Sequence, residues 1–197
     1  MKLLRNAALA VLLAVPGFSA SAAVIDFDNA TLGTHTGYVE DGFTFDKVRV
    51  VRAWCKGAPQ NCGSENQFVD STLTRVGGGL FNLTSMWISL VASTPITFVT
   101  DYGTIAYGIG SSVGNEVIEI EKGYVVDFTA NSIFQNISFL KIVDTTLGTE
   151  GTGVFKGNLR FDNIDVTEVA PVPLPAAGAL MMAGLGGLAM LRRRKRA

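Results

Sequence analysis

Between residues 24 and 170, apolar side chains recur at every second position far more often than at helical spacing, and that alternation restricts the chain to strands. In "GFTFDKVRVV" Phe43 and Phe45 share one face, the phase changes at Asp46-Lys47, and Val48 and Val50 follow. "TIAYGIG" alternates Ile105, Tyr107 and Ile109, and "VIEIEKGYVVDF" sets Ile118 and Ile120 against Glu119 and Glu121. "ISFLKIVD" is apolar on both faces, as suits a strand in the middle of a sandwich. Gly, Asn, Asp, Ser and Thr interrupt these runs at the short intervals that hairpins need. One stretch, "SENQFVDSTL", carries a capping-box pair in Ser64 and Gln67, but its apolar spacing is poor, so a short helix and an ordered loop fit it equally. Many short strands without βαβ alternation predict an all-β fold, an antiparallel β-sandwich of jelly-roll type.

Both ends depart from this pattern. Residues 1–23 have the three parts of a secretory signal peptide. Lys2 and Arg5 precede the apolar run Ala7 to Val15, and Ala20-Ser21-Ala22 supplies the small residues before cleavage at Ala23 or Val24. The Sec translocon and a signal peptidase are the partners this segment implies. Residues 24–170 form the exported domain, of a size for one ordinary core. The domain holds all 17 acidic residues of the chain but only nine of its 16 Lys and Arg, a net charge of −8. So acidic a surface repels phosphate backbones, which disfavours nucleic acid and leaves cations and neutral glycans as ligands. Cys55 and Cys62, in "WCKGAPQNCG", are the only cysteines. In an oxidising compartment an even count favours a disulfide between them.

Residues 171–197 form the other terminal segment. Pro171, Pro173 and Pro175 keep its start extended. From Ala176 to Leu191 run 16 uncharged, mostly apolar residues. As a helix they measure about 24 Å against a hydrocarbon core of about 30 Å, short for a plain anchor. Arg192, Arg193, Arg194, Lys195 and Arg196 then form a basic stop that stays cytoplasmic. Val172, Pro173, Leu174, Pro175 and Ala176, followed by the short apolar helix and the basic stop, resemble a PEP-CTERM sorting segment in its Val-Pro-Leu-Pro-Ala variant. Leu174 stands where the Pro-Glu-Pro form has glutamate. The resemblance implies a substrate of an exosortase, a membrane-embedded cysteine transpeptidase of Gram-negative bacteria. Such a substrate is held transiently in the inner membrane, cut near the motif, and passed to the cell surface or an exopolysaccharide matrix. "IDFDN", "EDGFTF", "FNLTSMWIS" and "LRFDNIDV" also resemble the body of such proteins, which implies a jelly roll akin to carbohydrate-binding modules.

Several constellations carry candidate chemistry. If the first and last strands are neighbours, Asp26 and Asp28 come near Asp162 and Asp165, and clustered carboxylates suit a structural calcium ion. The plainer reading makes Asp28-Asn29 and Asp162-Asn163 turn or bulge residues, with no cofactor. "GSSVG", Gly110 to Gly114, has the pattern of a nucleophile elbow, but a strand-like stretch follows where that motif needs a helix, and His35 lies far upstream. Glu119 and Glu121 share a strand face, which is the pattern of a solvated surface as well as of a carboxylate pair. Trp54 and Tyr102 are candidate platforms for stacking on sugar rings, while Trp87, in "SMWISLV", reads as core. The expectation is a non-catalytic surface or matrix protein, structural or adhesive, with weak exopolysaccharide affinity. The alternatives are a secreted polysaccharide-active hydrolase and a periplasmic protein anchored permanently in the inner membrane.

Overall fold

The alternation is realised as thirteen strands and one 3-10 turn among the described residues of a computed structural model, 21–56, 61–64, 70–92, 95–144 and 159–169. They all belong to the compact unit Ala20–Val169. The strands are β1 (Ala22–Ile25), β2 (Gly33–Glu40), β3 (Phe43–Val51), β4 (Cys62–Ser64), β5 (Asp70–Arg75), β6 (Phe81–Leu90), β7 (Ile96–Thr100), β8 (Gly103–Tyr107), β9 (Ser112–Val113), β10 (Glu116–Val117), β11 (Gly123–Asp127), β12 (Phe139–Asp144) and β13 (Leu159–Glu168). The 3-10 turn, Ser132–Phe134, is capped by Asn131, whose side chain accepts from the Ile133 N–H. Nearly all of residues 1–23, and the whole sorting segment 171–197, lie outside the described residues. Among the described residues no helix is long and apolar enough to cross a membrane.

Every pairing between these strands is antiparallel. The main sheet runs β11-β6-β13-β4-β3-β5-β12-β7-β8, with β1 on β13 and β2 on β3. It curls so that its two halves face each other across an apolar core, a sandwich-like arrangement bridged by the three-residue β4. Phe161 of β13 lies 5.6 Å from Phe45 of β3, and Phe43 of β3 lies 5.2 Å from Phe81 of β6. Phe98 of β7 meets Phe128, just beyond β11, at 6.0 Å. Each of these rings is buried, and each contributes about 1.5–3 kcal/mol by leaving water.

Two local devices allow the curl. Along β3 the buried set is Phe43, Phe45, Val48 and Val50, so the phase changes at Asp46-Lys47 as the sequence predicts. Opposite Asp46 is Gly37, whose φ of +69° is left-handed and suits glycine. β5 pairs with β3 only as far as Phe45, and beyond it the Asp46 carboxylate accepts from the Thr72 N–H at 2.7 Å. The second device is a register shift in β13 between Asp162 and Asp165, where Asn163 has a φ of 44°. Before the shift β13 pairs with β4, and after it with β1, Ile25 facing Ile164. The first and last strands of the domain are therefore neighbours.

Other expectations change. Residues 118–122 are not a continuous strand. β10 ends at Val117, Ile120 makes one isolated bridge to Leu90, and Glu121 turns the chain with a φ of 58°. Ile118 is buried and Ile120 exposed, so the two do not share a face toward the core, because the chain must reverse into β11. Within "SENQFVDSTL", Ser64 closes β4 and residues 70–73 begin β5; residues 65–69 lie outside the described residues. Over residues 70–73 the chain is strand, with Ser71 and Leu73 alternating inward. β12 does occupy a middle position, between β5 and β7, with Leu140 and Ile142 in the core.

Candidate functional site

Two groups of polar and aromatic side chains stand out, both beside β13. The first forms where the chain leaves β1. Phe27 adopts a φ of 56° and is wholly buried. Its N–H donates to Glu40 Oε2 at 3.2 Å, and the Tyr38 hydroxyl donates to the same oxygen at 3.0 Å. The Asp28 N–H donates back to Asp26 Oδ1 at 2.9 Å, a local turn bond. Asn61 braces the segment by donating to the carbonyls of Phe27, Asp28 and Ala30 at 3.2, 3.4 and 3.3 Å. On the β13 side Asp162 has no exposed surface. Its Oδ1 has no hydrogen-bond partner, while Asn163 Nδ2 donates to Oδ2 at 3.4 Å and the Asn163 backbone also bonds the carboxylate. Asp28 Oδ1 is likewise buried without a partner.

These carboxyl groups feel one another. Burial, then the charges of Asp28, Asp26 and Glu40, push the Asp162 carboxyl up to about 7. Burial also raises Glu40, aided by the Asp26 charge and opposed by its bonds from Phe27 and Tyr38. Burial and the Glu40 charge raise Tyr38 above its ordinary range. The expected quartet is thus brought together in part. Asp26, Asp28 and Asp162 converge, but Asp165 lies past the register shift and accepts from Ser85 Oγ on β6 at 2.7 Å. Glu40 takes its place in the group. It was visible in "YVEDGF" only as an acidic residue before a turn. Among the described residues no group of three or more His, Cys, Asp or Glu side chains is placed to hold a metal ion as it stands.

The second group is built on the disulfide. Cys55 and Cys62 are bonded, with a Cα–Cα separation of 6.0 Å, as expected. Just before the bond Trp54 takes a φ of 67° and leaves 46 % of its surface exposed. Beta-carbon crowding makes that backbone uncommon for tryptophan, so the surrounding bonds must hold it. The Arg160 guanidinium does so by donating to the Ala53 carbonyl at 3.2 Å, and it is itself fixed by a 2.8 Å bond to Ser64 Oγ. Lys56 Nζ stands 5.9 Å from the Trp54 ring centroid and 2.9 Å from Glu121 Oε2. Below, a Cβ on Gly123 would come within 2.4 Å of Trp87 Nε1 and 2.6 Å of the Lys56 carbonyl, so only glycine lets the loop lie this close to β11. Trp87 is buried, as expected of core. Tyr102 is 59 % exposed, in the turn between β7 and β8.

The remaining candidates are not assembled. Ser112 lies in β9, and a turn then leads into β10, so the strand-to-helix junction of a nucleophile elbow is not present at this position. His35 is in β2, with Nε2 2.8 Å from the Thr31 carbonyl and its ring 5.5 Å from Tyr38. Glu121 is engaged by Lys56, and the Glu119 N–H donates to the Tyr124 hydroxyl at 2.8 Å. No family model matches the chain, and no curated protein matches it.

Proposed function

We propose that this is an exported, non-catalytic protein of the cell surface or extracellular matrix, structural or adhesive in role, that holds polysaccharide weakly through Trp54. Its domain is read as a jelly roll. Residues 1–23 direct export through the Sec translocon. The segment 171–197 is a sorting address: Val172 to Ala176 are read by an exosortase while the apolar helix rests in the inner membrane. The observation that carries the binding reading is the half-exposed Trp54 ring, held in a left-handed backbone between a disulfide and a buried arginine. A rigid exposed ring loses little freedom when a sugar face stacks on it, and Lys56 and Glu121 at its side offer donors and acceptors for hydroxyl groups.

The test is retention of the protein on immobilised exopolysaccharide from its own cells. Trp54→Ala is expected to weaken retention by about tenfold, the scale of one lost stacking ring, without shifting the melting temperature. Tyr102→Ala serves as the comparison for the second exposed ring. Equal retention of the wild type and Trp54→Ala removes the binding reading. Release of reducing ends from the bound polysaccharide replaces it with a hydrolase.

A further inference from the structure

We infer that Asp28, Asp162, Asp26 and Glu40 form a binding site for one hard divalent cation, calcium, which clamps the start of the domain to its last strand. The inference rests on the accounting of buried oxygens. Asp28 Oδ1 and Asp162 Oδ1 are both shut off from water and lack any partner. Leaving a buried acceptor unmatched costs about 1–3 kcal/mol, and more if it is charged. Two such oxygens, from residues 28 and 162, lie at opposite ends of the domain sequence, and the pairing of β1 with β13 brings the segments that carry them side by side. The Asp26 and Glu40 carboxyl groups stand within hydrogen-bonding reach of each other. Among the described residues no Lys or Arg forms an ion pair with any of the four. Acidic groups gathered without a basic partner favour a cation among them, and an acidic domain draws cations toward itself.

The chemistry favours calcium over zinc or a transition metal, because every donor is oxygen and no His or Cys belongs to the group. The four carboxyl groups do not yet enclose an ion, so binding requires side-chain rotation, with water completing the six to eight oxygens calcium takes. Asn61 holds the main chain on which Asp28 sits. The inference stands apart from the polysaccharide reading: the cation ties strands together whether or not Trp54 binds sugar.

The experiment uses the full chain in detergent, stripped with a chelator and dialysed, then titrated with calcium chloride in a calorimeter and melted with and without the ion. One calcium per chain is expected, at the sub-millimolar to millimolar affinity of extracellular sites. At roughly 100 times the dissociation constant the melting temperature should rise by about 5–10 °C. Asp28→Asn and Asp162→Asn should each weaken binding by about tenfold or more, whereas Asp165→Asn, whose carboxylate serves Ser85, should not. If Asp162→Asn does not fold, Asp28→Asn, at a half-buried residue, reads the same site. No stoichiometric uptake by the wild type overturns the inference. So does uptake lost in Asp165→Asn but kept in Asp28→Asn.

Discussion

Replacing Gly63 by alanine puts a methyl carbon where the Phe161 ring already lies. The added Cβ would stand 2.4, 2.8 and 2.9 Å from three atoms of that ring, all shorter than a carbon–carbon contact of about 3.5–4.0 Å. The ring has little room to yield: Phe161 has no exposed surface and packs on Phe27 and Phe45 at 5.8 and 5.6 Å. The main chain is equally constrained, because Gly63 pairs with Val50 on one side and Phe161 on the other. Overpacking of this kind costs about 1–3 kcal/mol, occasionally more. Alanine recovers only about 0.4–1 kcal/mol by restricting the unfolded chain. A net loss of about 2 kcal/mol is expected, which lowers the melting temperature by about 4–8 °C for a domain of this size. Urea denaturation of the full chain measures it. Phe161→Leu removes the offending ring edge, so Gly63→Ala should cost at least about 1 kcal/mol less in that background. A loss below about 0.5 kcal/mol, or the same loss with and without the ring, would refute the close packing of Gly63 in β4 against the Phe161 ring.

Further consequences are measurable in the same way. Cys55→Ser with Cys62→Ser reopens a short loop, and the loop-entropy relation gives a loss of about 2.5 kcal/mol, seen as a lower urea midpoint and as loss of Trp54-dependent polysaccharide retention. Gly123→Ala should lift the 53–56 loop off β11, exposing Trp87 and changing its fluorescence, because Trp87 Nε1 and the Lys56 carbonyl leave no space for a Cβ. Asp70 accepts from Lys141 and lies 3.6 Å from Lys47, and these contacts, the Lys141 hydrogen bond first, hold its carboxyl below the ordinary value of 3.8 despite burial. A depressed acid stabilises the fold above its unfolded value and loses that contribution as pH falls through the folded one. Asp70→Asn should therefore melt below the wild type near neutrality, and the gap should close toward about pH 2; a gap independent of pH contradicts the assignment.

How far the sequence led depended on whether a feature was local. The β3 phase change was legible because Phe43, Phe45, Val48 and Val50 record it one residue at a time. The disulfide followed from two cysteines and an export signal, and the β1–β13 pairing from the expected sandwich. Glu119 and Glu121 misled because a period of two looks the same in a strand and in a short stretch that reverses at a left-handed residue. Asp162-Asn163 was readable as a bulge, and the register shift lies there, but Asp165 was still placed with Asp162 because the sequence does not say where a bulge sends the residues beyond it: one extra residue gives a side chain a different neighbour. Glu40 was missed because it reaches Asp26 only through the β2–β3 hairpin and the left-handed Phe27, a tertiary meeting with no sequence period. The Trp54 platform depended on Arg160, more than a hundred residues away, reaching the Ala53 carbonyl.

The sorting claim is tested most directly by the intact mass of the protein recovered from its native cells, surface and matrix fractions measured separately from inner membrane. The account predicts a surface or matrix form that begins near Val24 and ends within Val172 to Ala176, plus any group the transpeptidase attaches. A chain that runs through Ala197 and stays in the inner-membrane fraction contradicts it.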